Sequence, residues 1–150
     1  MPETVHGTAV LVGADGVLIR GGSGAGKSVL ALALIERGAR LIGDDRLTLS
    51  VRNGRVIASA PVAIAGLIEL RGRGPVARPY ERAGVIRLVA DIVSDEELDR
   101  MPEEHQLTAA LLDTALPRQP VPAATEPAMR LIEEALAGLS QPGNMGLRSA

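Results

Sequence analysis

The chain has 150 residues, a formal net charge of −2 and no cysteine. Its length fits one domain, the missing cysteines exclude disulfides and thiolate chemistry, and the charge offers no basic field for DNA or RNA. Tyr80 is the only aromatic residue, which argues against the stacking that single-stranded nucleic acids need. The N-terminus has no basic leader followed by an apolar run, and no apolar stretch approaches the roughly 18 residues of a membrane helix. We therefore expect a soluble, cytoplasmic protein.

The first part of the chain alternates strand and helix patterns. Val5–Val12 and Val17–Arg20 are rich in aliphatic residues and flank a glycine-containing turn, so they predict a hairpin. Lys27–Arg37 has apolar residues at helical spacing and stops before Gly38, where a glycine commonly closes a helix. Arg40–Ile42 predicts a short strand.

The next segments predict a second hairpin and a short crossing strand. Leu47–Val51 and Val56–Ala58 flank an Asn-Gly pair, which is a strong hairpin signal. Pro61–Gly66 is interpreted as a loop or a short helical turn, and Leu67–Leu70 as a strand. The following segment, Arg71–Ala83, is rich in Arg, Gly and Pro and is predicted to be a mobile loop.

The C-terminal part contains further elements. Val85–Ile92 predicts a strand, and Ser94–Arg100 predicts a helical turn capped by its serine and the glutamate three residues later. Gln106–Leu112 is interpreted as a strand, and Pro117–Pro127 as a proline-rich connector. Ala128–Leu139 predicts an amphipathic helix.

The strongest functional signal is a glycine-rich loop with the sequence GGSGAGKS, between a predicted strand and a predicted helix. Its glycines let successive N–H groups point into one anion-sized nest, and the helix adds its positive N-terminal end. Lys27 can reach the β- and γ-phosphates, and the Ser28 hydroxyl can bind Mg²⁺. The loop therefore predicts binding of a nucleoside triphosphate with Mg²⁺. The residues of this predicted site are Gly21, Gly22, Ser23, Gly24, Ala25, Gly26, Lys27 and Ser28.

Two adjacent carboxylates, Asp44 and Asp45, follow the short strand after the predicted helix. One could position Mg²⁺ directly or through water, and the other could take a proton from an attacking hydroxyl. Alone, the pair would be interpreted as a solvated turn. Its place downstream of a phosphate loop favours the functional interpretation.

Three other residues are ambiguous from the sequence alone. Glu69 precedes a run of arginines and glycines, so it could complete a metal site or lie at a solvated strand end. The arginines could hold phosphate oxygens or an acidic protein surface. His6 is a lone histidine, which is more often structural than catalytic. Arg100 carries little information by itself.

Four stretches, in their order and register, resemble the catalytic domain of the bacterial HPr kinase/phosphorylase family: Val5–Gly7, Gly21–Ser28, Glu36–Asp45 and Gly66–Gly74. Members of that family phosphorylate a serine of HPr, a carrier protein of the sugar phosphotransferase system. The similarity covers most of Val5–Arg100. It implies an α/β single domain over residues 1–139, with a mixed β-sheet and flanking helices. The implied fold is the phosphate-loop nucleotide-binding fold of HPr kinase and phosphoenolpyruvate carboxykinase. Residues 140–150 contain Gly and Ser and are predicted to form a flexible tail.

The resemblance also implies roles for individual residues. ATP and Mg²⁺ would be the cofactors, with Ser28 and Glu69 as the metal ligands. The catalytic residues would be His6 as the active-site histidine, Lys27 on the phosphates, Asp45 as the base and Arg100 as the active-site arginine. The partner would be an HPr-type phosphocarrier, with no nucleic acid and no membrane involved, and the protein would form a homo-oligomer, a hexamer in this family.

Three departures from the family pattern modify these expectations. The chain starts close to His6, so the separate N-terminal domain of the family is expected to be absent. Val29 stands where the family has glutamate. The family's late Arg/Gly/Pro loop is matched only by Leu116–Thr125, which keeps Arg118 but lacks the glycine, so phosphorylase activity is not predicted. A small-molecule kinase or nucleoside triphosphatase, and a non-catalytic nucleotide-sensing module, remain as alternatives.

Overall fold

The computed structural model describes residues 2–98 and 102–140. Within these ranges the chain forms eleven strands, two α-helices and two short 3₁₀ helices at Val62–Ile64 and Glu104–Leu107. The strands are β1 (Glu3–His6), β2 (Thr8–Val12), β3 (Asp15–Arg20), β4 (Arg40–Gly43), β5 (Arg46–Arg52), β6 (Arg55–Ser59), β7 (Leu67–Leu70), β8 (Gly74–Ala77), β9 (Ala83–Ile92), β10 (Thr108–Leu111) and β11 (Thr114–Val121). The helices are α1 (Lys27–Glu36) and α2 (Thr125–Ser140).

Nine of these strands form one mixed sheet, whose main path runs β1-β5-β6-β9-β3-β2-β4. Strand β9 lies in its middle. Its first residues pair antiparallel with β6, its longer part pairs parallel with β3, and its end pairs parallel with β11, which in turn pairs with β10. Strands β7 and β8 form a separate hairpin. The mixed α/β fold class predicted from the sequence is confirmed.

The core has two layers because side chains alternate between the faces of the central strands. Val10, Ile19 and Leu88 belong to the cluster that contains α1 and α2, whereas Leu18 and Val89 belong to the cluster formed with β5, β6 and β10. The buried hydrophobic side chains of the described residues are Ala, Val, Leu, Ile and Met, as the near absence of aromatic residues requires. Both helices therefore lie on one face of the sheet.

Several local predictions are confirmed by the backbone. Strands β2 and β3 form the predicted hairpin. The residue after the C-cap of α1, Gly38, has a φ of 108°, so it ends the helix in a conformation that suits glycine. The Asn53-Gly54 turn between β5 and β6 has positive φ at both residues, 54° and 75°, as two-residue hairpin turns require. The short helical turn after Pro61, the strand at β7 and the C-terminal helix α2 also form where they are predicted.

The predicted strand Val5–Val12 is divided in two at Gly7. Strand β1 before it pairs with β5, while β2 after it pairs with β3 and β4. A Cβ atom at Gly7 would lie 3.2 Å from Leu18 Cδ1 and 3.3 Å from the Ile19 carbonyl oxygen. Glycine therefore lets the chain pass between the two parts of the sheet, a long-range demand that strand propensity does not reveal.

The prediction of a mobile loop at Arg71–Ala83 is wrong. Residues Gly74–Ala77 form β8, which pairs with β7, and Tyr80 forms a bridge to Leu41. The Leu41 N–H donates to the Pro79 carbonyl at 2.9 Å. Pro75 is compatible with β8 because, among the described residues, this strand pairs on one side only.

The prediction of a connector at Pro117–Pro127 is also wrong, because Thr114–Val121 forms β11. Pro117 lies in the part of the strand that pairs with β10, and Pro120 in the part that pairs with β9. Among the described residues, each half of β11 thus pairs with one strand only. The other side of each half needs no hydrogen bond to a neighbouring strand, so proline, which has no N–H, is tolerated there. Pro127 lies in the first turn of α2, where proline is tolerated.

The segments between β9 and β11 partly match their predictions. The Glu97 N–H donates to Ser94 Oγ at 3.2 Å, so the predicted cap is present on a turn at residues 95–97. The end of the predicted segment, including Arg100, lies outside the described residues, as does the predicted tail after Ser140. The strand predicted at Gln106–Leu112 is shorter, because a 3₁₀ helix precedes β10. No helix within the described residues is both long and apolar enough to cross a bilayer.

Candidate active site

The glycine-rich loop connects the end of β3 to the start of α1. Gly24 and Gly26 have φ values of 78° and 106°, a left-handed conformation that side-chain-bearing residues seldom adopt. The Ala25 N–H donates to the Gly22 carbonyl at 3.0 Å, and the Leu30 N–H donates to the Gly26 carbonyl at 2.9 Å, which starts the helix. The loop therefore curls ahead of a helix N-terminus, an arrangement that can accept an anion.

The ammonium group of Lys27 lies over this loop. Its Nζ donates to the carbonyl oxygens of Gly21 at 3.1 Å and Gly22 at 3.2 Å. An ammonium group has three donors and is a compact charge, so it can exchange carbonyl partners for phosphate oxygens without leaving the loop.

A buried carboxylate, Asp44, connects three parts of the chain. Asp44 comes directly after the last residue of β4 and is only 7% exposed. Its Oδ1 accepts hydrogen bonds from Thr8 Oγ1 and Ser28 Oγ, each at 2.8 Å, and its Oδ2 accepts one from the Glu69 backbone N–H at 2.9 Å. Since Ser28 donates its proton here, the lone pairs of its hydroxyl oxygen stay available to a cation.

The neighbouring residue, Asp45, points outward instead. Its φ is 72°, a positive value that Asp tolerates better than most residues. The Gly7 N–H donates to the Asp45 carbonyl at 3.2 Å, which fixes the turn against the start of β2. The His6 Nδ1 lies 4.0 Å from Asp45 Oδ1, and both side chains are 80% exposed. Of the two adjacent carboxylates, Asp44 is thus buried, and Asp45 is exposed to an incoming group.

A cavity of about 550 Å³ joins these groups. Four residues that the sequence singles out line it: Lys27, Ser28, Asp45 and Glu69. His6 lies beside Asp45 at its edge, and Arg100 is outside the described residues. The further lining residues are Thr8, Ser23, Gly24, Gly26, Val29, Asp44, Ile64, Leu67, Ile68, Arg71 and Pro75.

Sequence reasoning gave no role to Thr8 and left Asp44 without a specific one. Both contribute to the hydrogen bonds beneath the cavity. The available signal for Thr8 was weak: a single hydroxyl residue inside the otherwise apolar run that became β2. For Asp44, the sequence could not tell which of the two adjacent carboxylates turns inward.

The cavity offers oxygen donors suited to Mg²⁺. Within the described residues, no three His, Cys, Asp or Glu side chains are arranged to hold a metal by themselves. Ser28, Asp44 and Glu69, which carry a hydroxyl and two carboxylates, do line one cavity. Mg²⁺ commonly takes one or two carboxylates and completes its shell with water and substrate phosphates, so this sparse set fits the ion.

A second charged cluster lies beneath the loop. Arg20, the residue before Gly21, donates to both carboxylate oxygens of Asp91 at 2.7 and 2.8 Å. Arg118 of β11 donates to Asp91 Oδ2 at 2.5 Å and to the Gln106 carbonyl at 2.7 Å. These bonds connect the end of β3 to β9 and β11. The start of the phosphate loop is thereby fixed to the sheet.

Asp91 should make the stability of the fold depend on acid pH. Burial alone would raise the pKa of Asp91, but the hydrogen bonds and charges of Arg20 and Arg118 outweigh it and hold that pKa below its ordinary value. Because the pKa is lower in the folded state, the stabilisation from the ionised Asp91 is complete above the unfolded-state pKa of about 4. It is lost as the pH falls from there through the folded-state pKa. Asp91→Asn should therefore lower the free energy of unfolding by about 2 kcal/mol at pH 7.

Urea unfolding at pH 7 and at pH 2.5 measures this effect. The difference between wild type and Asp91→Asn should shrink at the lower pH, because the Asp91 carboxyl of the unfolded wild-type chain binds a proton there and so favours the unfolded state. Asp95→Asn changes an exposed carboxylate close by and should show no comparable difference. A constant difference at both pH values would contradict the role given to the Asp91 charge.

Comparisons with known proteins point to one family. The family model "HPr Serine kinase C-terminal domain" matches residues 1–150. An HPr kinase/phosphorylase of Levilactobacillus brevis is 32% identical over 155 aligned positions, covering 96% of this chain and 50% of that protein. One of Clostridium tetani is 38% identical over 111 positions, covering 67% and 36%. The chain thus spans at most about half the length of these curated relatives.

A solved structure has the same architecture. The HPr(Ser) kinase/phosphatase of Coxiella burnetii superposes with a TM-score of 0.82 at 27% sequence identity. The match covers 93% of this chain and 99% of that one. The arrangement of strands and helices around the cavity therefore has a direct structural counterpart.

Proposed function

This chain belongs to the HPr serine kinase C-terminal domain family, and from that premise we propose that it transfers the γ-phosphate of ATP to a serine of HPr or an HPr-like phosphocarrier. The observation that carries the proposal is the outward-facing Asp45 at a cavity that also contains Lys27 and the Ser28–Asp44 hydrogen bond. Asp45 can accept a proton from an incoming hydroxyl, and Lys27 and Ser28 beside it can hold a triphosphate with its metal ion.

The nucleotide phosphates bind at the loop and the start of α1. The backbone N–H groups of the loop and the helix N-terminus donate to phosphate oxygens. Lys27 exchanges its contacts with the Gly21 and Gly22 carbonyls for the terminal phosphates. Because these groups are held by the fold before the nucleotide arrives, little reorganisation is needed on binding.

Ser28 and Glu69 are the proposed ligands of Mg²⁺, and Asp44 keeps the Ser28 hydroxyl oriented toward the cavity. When bound, the ion would neutralise charge on the phosphates. Glu69 and its own backbone N–H belong to β7, and that N–H is bonded to Asp44. One buried carboxylate therefore sets the positions of both proposed ligands.

Asp45 acts as the base in phosphoryl transfer. The serine hydroxyl oxygen of the acceptor bonds to the γ-phosphorus, the bond from that phosphorus to the β–γ bridging oxygen breaks, and ADP leaves. The hydroxyl proton passes to Asp45. His6, whose Nδ1 lies 4.0 Å from Asp45 Oδ1, is the group proposed to take the proton onward. By family resemblance, Arg100 is the proposed active-site arginine, and its role would be to stabilise the negative charge on the phosphates.

Labelling with γ-³²P-ATP tests the function. The purified chain, Mg²⁺ and HPr should give label on one HPr serine, located by mass spectrometry of the labelled protein. A verified HPr kinase acting on the same HPr is the positive control. An unlabelled HPr in the presence of that control would contradict the proposal. Phosphate release without HPr would favour a nucleoside triphosphatase, and nucleotide binding without turnover would favour a sensing module.

Three further expectations concern the assembly, the compartment and the phosphorylase reaction. We expect a homo-oligomer, with a hexamer as the specific prediction, and sedimentation velocity measures it directly. The reaction is proposed to take place in the cytoplasm, where ATP and phosphocarrier proteins meet. Incubation of serine-phosphorylated HPr with excess phosphate measures the phosphorylase reaction. This reaction is not expected, because Arg118 of β11 is bonded to Asp91 of β9 and does not line the cavity.

A further inference from the structure

We propose that Thr8 is a positioning residue for the nucleotide–Mg²⁺ site, acting through Asp44; this inference rests on the proposed function. Its hydroxyl donates to Asp44 Oδ1 at 2.8 Å, and the same oxygen accepts the hydroxyl proton of Ser28 at 2.8 Å. Two hydroxyl groups from distant parts of the chain thus meet on a single carboxylate oxygen. Thr8 itself need not touch the ion or the phosphates to affect both.

The position of Thr8 makes it a rigid anchor. It is fully buried at the start of β2 and faces Ile19 of β3 across the antiparallel pair. Ile19 is also fully buried. Asp44, in contrast, lies outside the strands, between the last residue of β4 and a residue with positive φ. The hydrogen bond from Thr8 therefore ties the Asp44 carboxylate to the sheet.

Packing alone does not explain a threonine at this position. Valine has the same shape, suits strands at least as well and buries no polar atom. What the hydroxyl adds is its bond to a charged acceptor, and such bonds are about twice as strong as neutral ones. The Thr8 hydroxyl therefore matters through its hydrogen bond to Asp44.

Asp44 in turn orients both proposed metal ligands. Ser28 donates its proton to Oδ1, which leaves the oxygen lone pairs of Ser28 available to a cation. The backbone N–H of Glu69 donates to Oδ2, which sets the distance of β7 from the loop. Without the Thr8 donor, Asp44 Oδ1 would keep only the Ser28 hydroxyl as a partner among the described hydrogen bonds, so the carboxylate would be held less firmly and the spacing of both ligands would be less fixed.

The loop amides and Lys27 would not be affected in the same way. Lys27 bonds to the carbonyls of Gly21 and Gly22, and neither carbonyl contacts Asp44 among the described hydrogen bonds. Removing the Thr8 hydroxyl should therefore weaken the Mg²⁺-dependent part of nucleotide binding and spare the part that needs no metal. A purely structural role would lower the stability of the protein without separating these two parts.

Fluorescence anisotropy of mant-ATP, measured with Mg²⁺ and with EDTA, tests the inference. Thr8→Val should bind the nucleotide about tenfold more weakly than wild type in Mg²⁺, as expected for one lost hydrogen bond to a charged group. In EDTA its affinity should stay within about twofold of wild type. Thr8→Ser keeps the hydroxyl and should restore most of the Mg²⁺-dependent affinity.

A second pair of variants keeps the test decisive if Thr8→Val does not fold. Thr8→Ala and Thr8→Ser differ by one oxygen atom, so Thr8→Ala should show the selective loss and Thr8→Ser should not. Equal affinities of these two in Mg²⁺, or an equal loss in Mg²⁺ and EDTA, would overturn the role of Thr8. A wild-type protein that binds no mant-ATP would instead contradict the proposed function itself, and this inference with it.

Discussion

Replacing Lys27 with methionine is expected to weaken ATP binding by about a hundredfold. Methionine keeps much of the length of the side chain but removes the charge and the three donors. Two charge-assisted hydrogen bonds to phosphates at about 1.5 kcal/mol or more each account for that factor. Lys27 lines the cavity and is bonded only to loop carbonyls in the described contacts, so no other element depends on its charge.

Direct titration with mant-ATP measures this loss, and thermal unfolding confirms that the variant is folded. Arg130→Met is the matched control, since it removes an exposed cation from α2, far along the chain from the loop. That control should bind as wild type does. Unchanged affinity in Lys27→Met would show that the loop does not hold phosphates through this residue, and the proposed nucleotide site would have to be abandoned.

The sequence predicts the local part of the site and misses the long-range part for a physical reason. The loop, the helix after it and the hairpin at Asn53-Gly54 are each specified by residues a few positions apart, and they form where they are predicted. Thr8 and Asp44 lie 36 positions apart, and Arg20 and Asp91 lie 71 apart. A single sequence contains no periodicity that couples such pairs.

The two wrong segments have the same origin. Proline and glycine favour loops in Arg71–Ala83 and Pro117–Pro127, but β8 and β11 lie there. Whether proline can occupy a strand depends on whether the strand has one neighbour or two at that point. That property belongs to the sheet topology, which the sequence of one strand does not contain.

The site residues also differ in how far they could be assigned. Lys27 and Ser28 follow from a motif whose chemistry is general, whereas Asp45 and Glu69 obtained their roles through family resemblance. The structure places all four at one cavity. It also separates Asp44 from Asp45 by direction, inward and outward, through the left-handed backbone at Asp45. Adjacent identical residues thus have different environments, one buried and one exposed.

Replacing Asp45 with asparagine is expected to lower kcat for HPr phosphorylation by about a thousandfold, since a positioned general base contributes about 10²–10⁴-fold. Asparagine has the same shape and is well tolerated at positive φ, so the turn at Asp45, with its φ of 72°, should be kept. Nucleotide affinity should stay within about twofold of wild type, because the Asp45 side chain is 80% exposed and makes no hydrogen bond to Ser28 or Asp44 among the described contacts.

Steady-state labelling of HPr together with mant-ATP titration separates the two quantities. Asp113→Asn is a matched control, because Asp113 is also exposed and also has a positive φ, 63°, but does not line the cavity. It should retain wild-type kcat. If Asp45→Asn were as active as this control, Asp45 would not be the base. If it lost nucleotide binding along with activity, the carboxylate would act on the phosphates or the metal, and the division of labour between Asp44 and Asp45 would be wrong.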